Sequence, residues 1–525
     1  MSTNAFHWAD VTAEKIIRER GDKEVYTCAS GITPSGTVHI GNFREIISVE
    51  LVVRALRERG KKVRFIYSWD DYDVFRKVPK NMPKPELLET YLRKPITIVP
   101  DTSGRYASYA DANEKELEAL LPGVGVEPEY IYQASRYRSS YYAKGIRQAL
   151  EKRDTIRAIL NEHRTSPLPD EWWPVSVFST FTDKDTTTVL DWDGEWGLRY
   201  RCNETGKEES LDLRTTAAVK LPWRVDWPMR WALEGVDFEP AGKDHHSEGG
   251  SFDTARKVVE QVYGGKAPVS FQYDFIRIKG RGGKISSSSG EVIALPDVLE
   301  VYQPEIVRYL FAGTRPNTEF AISFDLDVLK IYEDYDKCER VYFGVQEISA
   351  KKADKEKRIY ELSQVSALPE VMPYQVPLRH LCNLLQANEG DIEAVLDLYP
   401  DLKPLQRKRL EVRCRCAWNW ITTFSPEDFR FSLRKAGDEL PNFSDLEKKA
   451  LSLLRNQVDT LADHDEKSLA EAIYAVAEAA GLDAKELFTL CYHVLIGKEK
   501  GPRLASFILT LGRDKVLAIL DRVLS

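Results

Sequence analysis

The sequence predicts an α/β fold that passes into an all-helical C-terminal half, and three observations carry this reading. An apolar run at residues 25–30 leads into the turn Pro34-Ser-Gly36-Thr-Val-His39-Ile-Gly41-Asn42, after which Ile40, Phe43, Ile47 and Leu51 recur at helical spacing. A second strand-like run at 63–69 completes a strand, turn, helix, strand unit. From about residue 331 the pattern is almost wholly helical, with 446–461, 468–480 and 485–496 the clearest amphipathic stretches.

The first turn suits a phosphate. Gly36 and Gly41 have no Cβ, so backbone and a flat base or ribose can approach closely, and Pro34 fixes the entry to the loop. A helix that starts there presents free amides and the positive end of its dipole to an anion. His39 and Asn42 are three apart on the first helical turn, where both can face the same phosphate oxygens or serve as ordinary helix caps. Far along the chain, Lys284-Ile-Ser286-Ser-Ser288-Ser-Gly290 supplies one cation and a row of hydroxyls between glycines, after the apolar stretch 275–278. A plain flexible linker would need no such strand beside it.

Between these stretches the texture changes. Residues 151–216 hold a proline-rich segment, then short runs around Phe178 and Val189 broken by Asp-Gly and Thr-Gly turns, which reads as inserted antiparallel strands. The division expected is 1–150 and 217–280 for the two halves of the α/β domain, 151–216 for the insertion, 281–330 for the serine loop and a connecting domain, and 331–525 for the helical domain. A chain of 525 residues needs several cores.

Hydrophobic residues make up 43% and charged residues 30%, with no apolar run of membrane-spanning length and no basic-then-apolar leader, so a cytoplasmic protein is expected. Seven cysteines, an odd number with no Cys-x-x-Cys, argue against a disulfide framework. Cys202-Asn-Glu-Thr205 offers one thiolate where a four-ligand zinc site would need partners, so a metal-free turn is expected. The net charge of −8 does not exclude a nucleic acid, because affinity follows local cation density. Basic clusters fall at 136–138 and 351–358, and the densest runs from Arg407 to Arg415 beside Trp418 and Trp420. Cations with aromatics are what unstacked bases require, although the tryptophans equally suit a core.

The two loop stretches resemble the HIGH and KMSKS signatures of class I aminoacyl-tRNA synthetases, and the surrounding wording is similar to class I lysyl-tRNA synthetases. The supporting stretches are Ser68-Trp-Asp70-Asp71-Tyr-Asp73-Val-Phe-Arg76, Leu221-Pro-Trp223-Arg-Val-Asp226-Trp227-Pro, Glu239-Pro-Ala-Gly-Lys243-Asp244-His245 and Gly497-Lys-Glu-Lys-Gly501-Pro-Arg503-Leu. The resemblance runs end to end. It implies a Rossmann-type catalytic domain with a small inserted domain, a connecting domain and an all-α anticodon-binding domain. It also implies activation of L-lysine with ATP and Mg²⁺ and transfer to the terminal adenosine of tRNA(Lys), by a monomer.

On this resemblance Pro34, Gly36, His39, Gly41, Asn42 and Lys284 would hold ATP. His39, Asn42, Lys284, Ser286 and Ser288 would act as electrostatic clamps rather than nucleophiles. Trp223 and His245, with Gly31 and Thr33 opposite, would form the lysine pocket. A lysine side chain needs aromatic walls and an anionic end wall; Asp226 either supplies that end or pairs with Arg224 or Arg230. Asp71 and Arg76 would meet the tRNA acceptor end, and Arg413 and Arg415 the anticodon side. The sequence departs from the pattern at Ser287 and Ser289, where lysines are expected, and Lys279, Arg281 or Lys243 could replace the missing cation. The alternatives are a glutamyl-type enzyme, whose pocket would need arginines, and a catalytically impaired tRNA-binding paralogue.

Overall fold

A computed structural model describes residues 6–80, 82–279, 292–439 and 441–525. By its internal packing the chain divides into two units. The first comprises Met1–Val298, Pro304–Ile322 and Glu347–Leu368; the second comprises Leu299–Gln303, Ser323–Gln346 and Pro369–Ser525.

The first unit is built on a four-stranded sheet of β1 (Tyr26–Ile32), β2 (Val63–Trp69), β3 (Glu129–Tyr132) and β4 (Val236–Phe238), in spatial order 3-2-1-4. Every neighbouring pair is parallel. Helix α1 (Trp8–Arg20) precedes β1, and α2 (Ile40–Glu58) makes the crossover from β1 to β2. A strand covered on both faces can afford few polar residues, and Tyr26 to Ser30 are all buried. Gly31 faces Ser68 in the β1–β2 register, and a Cβ there would stand 2.7 Å from the Ser68 carbonyl oxygen. The two strand ends can meet only because that residue is glycine. Helix α3 (Tyr109–Leu120) and helix α4 (Trp223–Glu234) flank the site described below. Three antiparallel strands, Thr187–Trp192, Gly197–Cys202 and Glu208–Asp212, form a separate small sheet within 151–216.

In the second unit α5 (Asp327–Tyr342) is part of the helical half, whereas α6 (Ala350–Ser363) belongs to the first unit. Arg358 of α6 pairs with Asp10, Glu58 and Glu361, and the Leu362 carbonyl accepts from the fully buried Arg308. Residues 347–368, inside the helical stretch expected from 331, thus pack with the first unit. Helical periodicity reports that a helix has an apolar face, not which core that face joins. Helix α7 (Pro404–Thr423) and the helices Asp445–Asp459, Glu466–Ala480 and Ala484–Ile496 fill the second unit. The last three each begin with a reciprocal capping box, at Ser444/Glu447, Asp465/Ser468 and Asp483/Glu486, which fixes their starts at the expected places.

Candidate active site

The C-terminal ends of β1 and β2 and the N-terminus of α2 border a cleft of about 1000 Å³ in the first unit. Its position outside the carboxyl ends of parallel strands is where such sheets bind ligands. The loop from β1 to α2 is held from below: Asn113 of α3 donates to the Pro34 carbonyl at 3.2 Å, and the Tyr109 hydroxyl donates to the Ser35 carbonyl at 2.7 Å. Gly36 and Asn42 line the cleft, while Pro34 is buried beneath it. A Cβ on Gly41 would stand 2.9 Å from the His39 ring, so the glycine makes room for that imidazole.

His39 is the N-cap of α2, and its Nδ1 accepts from the Asn42 backbone N–H at 3.2 Å. Burial lowers its pKa below the usual histidine value, so the ring is neutral at pH 7 and Nε2 carries the proton left to donate. The capping and phosphate readings are thus compatible, since one ring nitrogen caps and the other remains.

Four residues expected in the amino-acid pocket, Gly31, Thr33, Trp223 and His245, line this one cleft. Trp223 keeps 39% of its surface exposed and stacks on Trp227 at 4.8 Å between ring centroids. His245 Nδ1 is 2.5 Å from the Ser251 hydroxyl. Asp226 is not among the lining residues and corrects the expectation of a carboxylate end wall at that position. It is buried, with Arg230 one helical turn on at 3.0 Å and the Tyr137 hydroxyl donating to it. Arg230 in turn bonds Asp70 at 2.7 Å, so the pairing with Arg230 is the reading of Asp226 that holds.

The carboxylate that does reach the cleft is Glu45, on the second turn of α2. Its Oε1 accepts from the Ser30 hydroxyl at 2.8 Å and the Gly31 N–H at 3.2 Å, and its Oε2 accepts from the Tyr273 hydroxyl. All three donors are neutral, and among the described residues no cation pairs with it. Burial raises its pKa above the usual carboxylate value, against the pull of those three donors. The three other lining carboxylates differ: Asp70 faces Arg230, Asp73 meets Lys220 and the Thr33 hydroxyl, the latter at 2.8 Å, and Asp185 meets Arg93 at 2.6 Å. Sequence reading missed Glu45, Lys220 and Tyr273 as members of this cleft. The available signal was the charged pair Arg44-Glu45 between the apolar positions Phe43, Ile46 and Ile47.

Lys284, Ser286 and Ser288 lie outside the described residues, as does Arg281. Lys243 stands 3.7 Å from Asp274 and does not line the cleft, whereas Arg76, Lys77, Lys80 and Lys220 do. Asp71 opens instead on a second recess shared with Glu114 and Arg138; it accepts from the Ala134 N–H at 2.7 Å, and burial pushes its pKa up to about 6. The Cys202 sulfur accepts from the hydroxyls of Ser179 and Thr205 and from backbone N–H groups, which hold the thiol down at about 6.

The basic stretch on α7 also needs correction. Arg413 is buried and makes a two-pronged pair with Asp336, at 2.8 and 2.6 Å. Arg407 meets Glu393 and Asp397, Arg409 meets Glu339, and the exposed Arg415 meets Glu411. Of the run, Arg413 is taken up by a buried pair, Arg407 and Arg409 are partly buried in ion pairs, and Lys408 and Arg415 are exposed. Trp420 is in the core.

A parallel sheet whose first crossover begins in a glycine-bearing turn thus borders a cleft that holds one carboxylate without a cation among the described residues. The chain belongs to the class I tRNA synthetases of the group described as "tRNA synthetases class I (K)", whose model matches residues 6–366. An anticodon binding domain model matches residues 431–524, beyond the end of α7. The chain is 56% identical to a lysine–tRNA ligase of Treponema pallidum (strain Nichols), over 98% of each chain. It is 44% identical to one from Thermococcus kodakarensis, over 97% of this chain and 98% of the relative. A third, from Methanocaldococcus jannaschii, is 34% identical over the same shares.

Proposed function

We propose that this chain is a class I lysine–tRNA ligase of translation that recognises the lysine ε-ammonium through Glu45. The observation that carries the pocket reading is a desolvated carboxylate at the cleft held by three neutral donors and met by no described cation. An isolated buried carboxylate is costly, and a ligand ammonium offsets that cost. Trp223 and His245 wall the aliphatic stem. A glutamate ligand would place a second carboxylate against Glu45, which is unfavourable.

In the reaction the lysine α-carboxylate attacks the α-phosphorus of ATP, forming the acyl–phosphate bond as the bond to pyrophosphate breaks. The 2′-hydroxyl of the terminal adenosine of tRNA(Lys) then attacks the acyl carbon, and AMP leaves. The protein's part is positioning and electrostatic stabilisation. Gly36, the α2 amides, Asn42 and the His39 Nε2–H would contact the nucleotide, with Lys284, Ser286 and Ser288 closing on it. Mg²⁺ neutralises the triphosphate when bound. Among the described residues no group of three or more His, Cys, Asp or Glu is arranged to hold a metal, so Mg²⁺ would be carried chiefly by the phosphates.

Arg76 and Asp71 would guide the acceptor end. Residues 151–216 would act as the inserted domain, 281–330 as the connection, and the helical part of 331–525 would read the anticodon, in a cytoplasmic monomer. Pyrophosphate exchange with each of the twenty amino acids, in the presence of tRNA, tests this reading. Exchange with lysine alone supports it, and exchange with glutamate or with none overturns it. Lys284→Ala should lower that exchange by roughly a hundredfold, the worth of one preorganised cation on the transition state.

A further inference from the structure

Arg44 precedes Glu45 on α2 and is 2% exposed, yet among the described residues no carboxylate lies within hydrogen-bond distance of it. Its guanidinium is spent on four backbone carbonyls: Nη1 donates to Asp274 at 2.7 Å and Phe275 at 3.1 Å, and Nη2 to Arg315 at 3.1 Å and Thr318 at 2.8 Å. The Phe320 ring lies 5.1 Å from the guanidinium carbon. Burying a cation against carbonyls alone is expensive, so the group is held there by geometry rather than by charge pairing. A flat fork with five N–H donors can bridge two backbone segments at once, and a lysine ammonium, a single point of charge, cannot.

The two segments matter because of what adjoins them. Tyr273, whose hydroxyl meets Glu45, immediately precedes the carbonyls of Asp274 and Phe275. The second segment is tied to the first as well, since the Asp274 N–H donates to the Pro316 carbonyl at 2.9 Å. Adjacent residues on α2 therefore hold the same strip of chain by two handles, Arg44 by its backbone and Glu45 by its tyrosine. A shift of that strip by about an ångström would take the phenol off the carboxylate.

We propose that Arg44 is a positioning residue for amino-acid recognition, which sets the affinity for the lysine side chain by holding Tyr273 on Glu45. The inference rests on the pocket reading above. Its test is a cycle of Arg44→Lys, Tyr273→Phe and the double variant in the full-length enzyme, with KM for lysine and for ATP measured by pyrophosphate exchange and folding checked by thermal melting. Tyr273→Phe should raise KM for lysine about tenfold and change that for ATP less than about twofold. Arg44→Lys should do the same, and the double variant should be no worse than the poorer single one, because both changes remove one contact. Arg44→Gln, which keeps one donor arm, replaces Arg44→Lys if the latter does not fold. Multiplying effects in the double variant, or equal rises in both KM values, would overturn the role of Arg44. If Tyr273→Phe alone left KM for lysine unchanged, the pocket reading itself would fall.

Discussion

Glu45 accepts the Tyr273 hydroxyl on one oxygen and Ser30 and Gly31 on the other, so this carboxylate is fixed in place by neutral donors, with no cation beside it among the described residues. Every other acid bordering the cleft near it, Asp70 and Asp73, already has a cation. Under the reading proposed above, the lysine ammonium would supply the charge that no described residue brings to Glu45.

A pH dependence follows. Burial lifts the Glu45 carboxyl above the ordinary carboxylate range, and only its ionised form can pair with an ammonium, which stays charged throughout. kcat/KM for lysine should therefore rise with pH through a midpoint above that of an ordinary glutamate. The limb should be absent from KM for ATP. Exchange kinetics from about pH 5 to about pH 8 measure it, and Glu45→Gln should abolish it.

Arg413 and Lys408 should separate stability from RNA binding. Arg413→Ala leaves Asp336 buried and unpaired, and should cost about 3–5 kcal/mol in denaturant unfolding of the second unit. Lys408→Ala should leave stability within about 0.5 kcal/mol and, if that exposed face meets a phosphate, reduce the salt slope of tRNA binding by about one.

Glu114 makes a further prediction about pH and stability. It is 4% exposed, its Oε1 has no hydrogen-bond partner, and burial together with the charges of Asp71 and Glu118 pushes its pKa from 4.5 up to about 8. A carboxyl raised on folding contributes stability below its unfolded pKa and loses it as pH rises through the folded value. Wild-type protein should thus lose stability between pH 5 and pH 8, and Glu114→Gln, neutral throughout, should be the more stable of the two at pH 8 by on the order of 1–3 kcal/mol in urea unfolding.

Much of this was legible in the chain itself. The phosphate loop was readable because glycine, proline and a cap occur at fixed offsets between a strand and a helix, and the C-terminal helices because their apolar stripes and capping residues are local. Gly31, Thr33, Trp223 and His245 were brought together as the resemblance implied. What stayed hidden depends on partners distant in sequence. Asp226 and Arg413 look like free charges until Arg230 and Asp336 are seen beside them. Glu45 looks like a solvated helix residue until Tyr273, 228 positions away, closes over it. A spacing rule cannot tell a paired charge from an unpaired one.

The account turns on the carboxylate of Glu45, and the most direct measurement is the KM of Glu45→Gln for lysine and for ATP in pyrophosphate exchange, with thermal melting to confirm the fold. Glutamine keeps the shape and the acceptor for Tyr273 but removes the charge. KM for lysine should rise by roughly a hundredfold while that for ATP stays within about twofold, the worth of a charge-assisted contact in a desolvated site. An unchanged KM for lysine, or a parallel rise for both substrates in a well-folded variant, would contradict it.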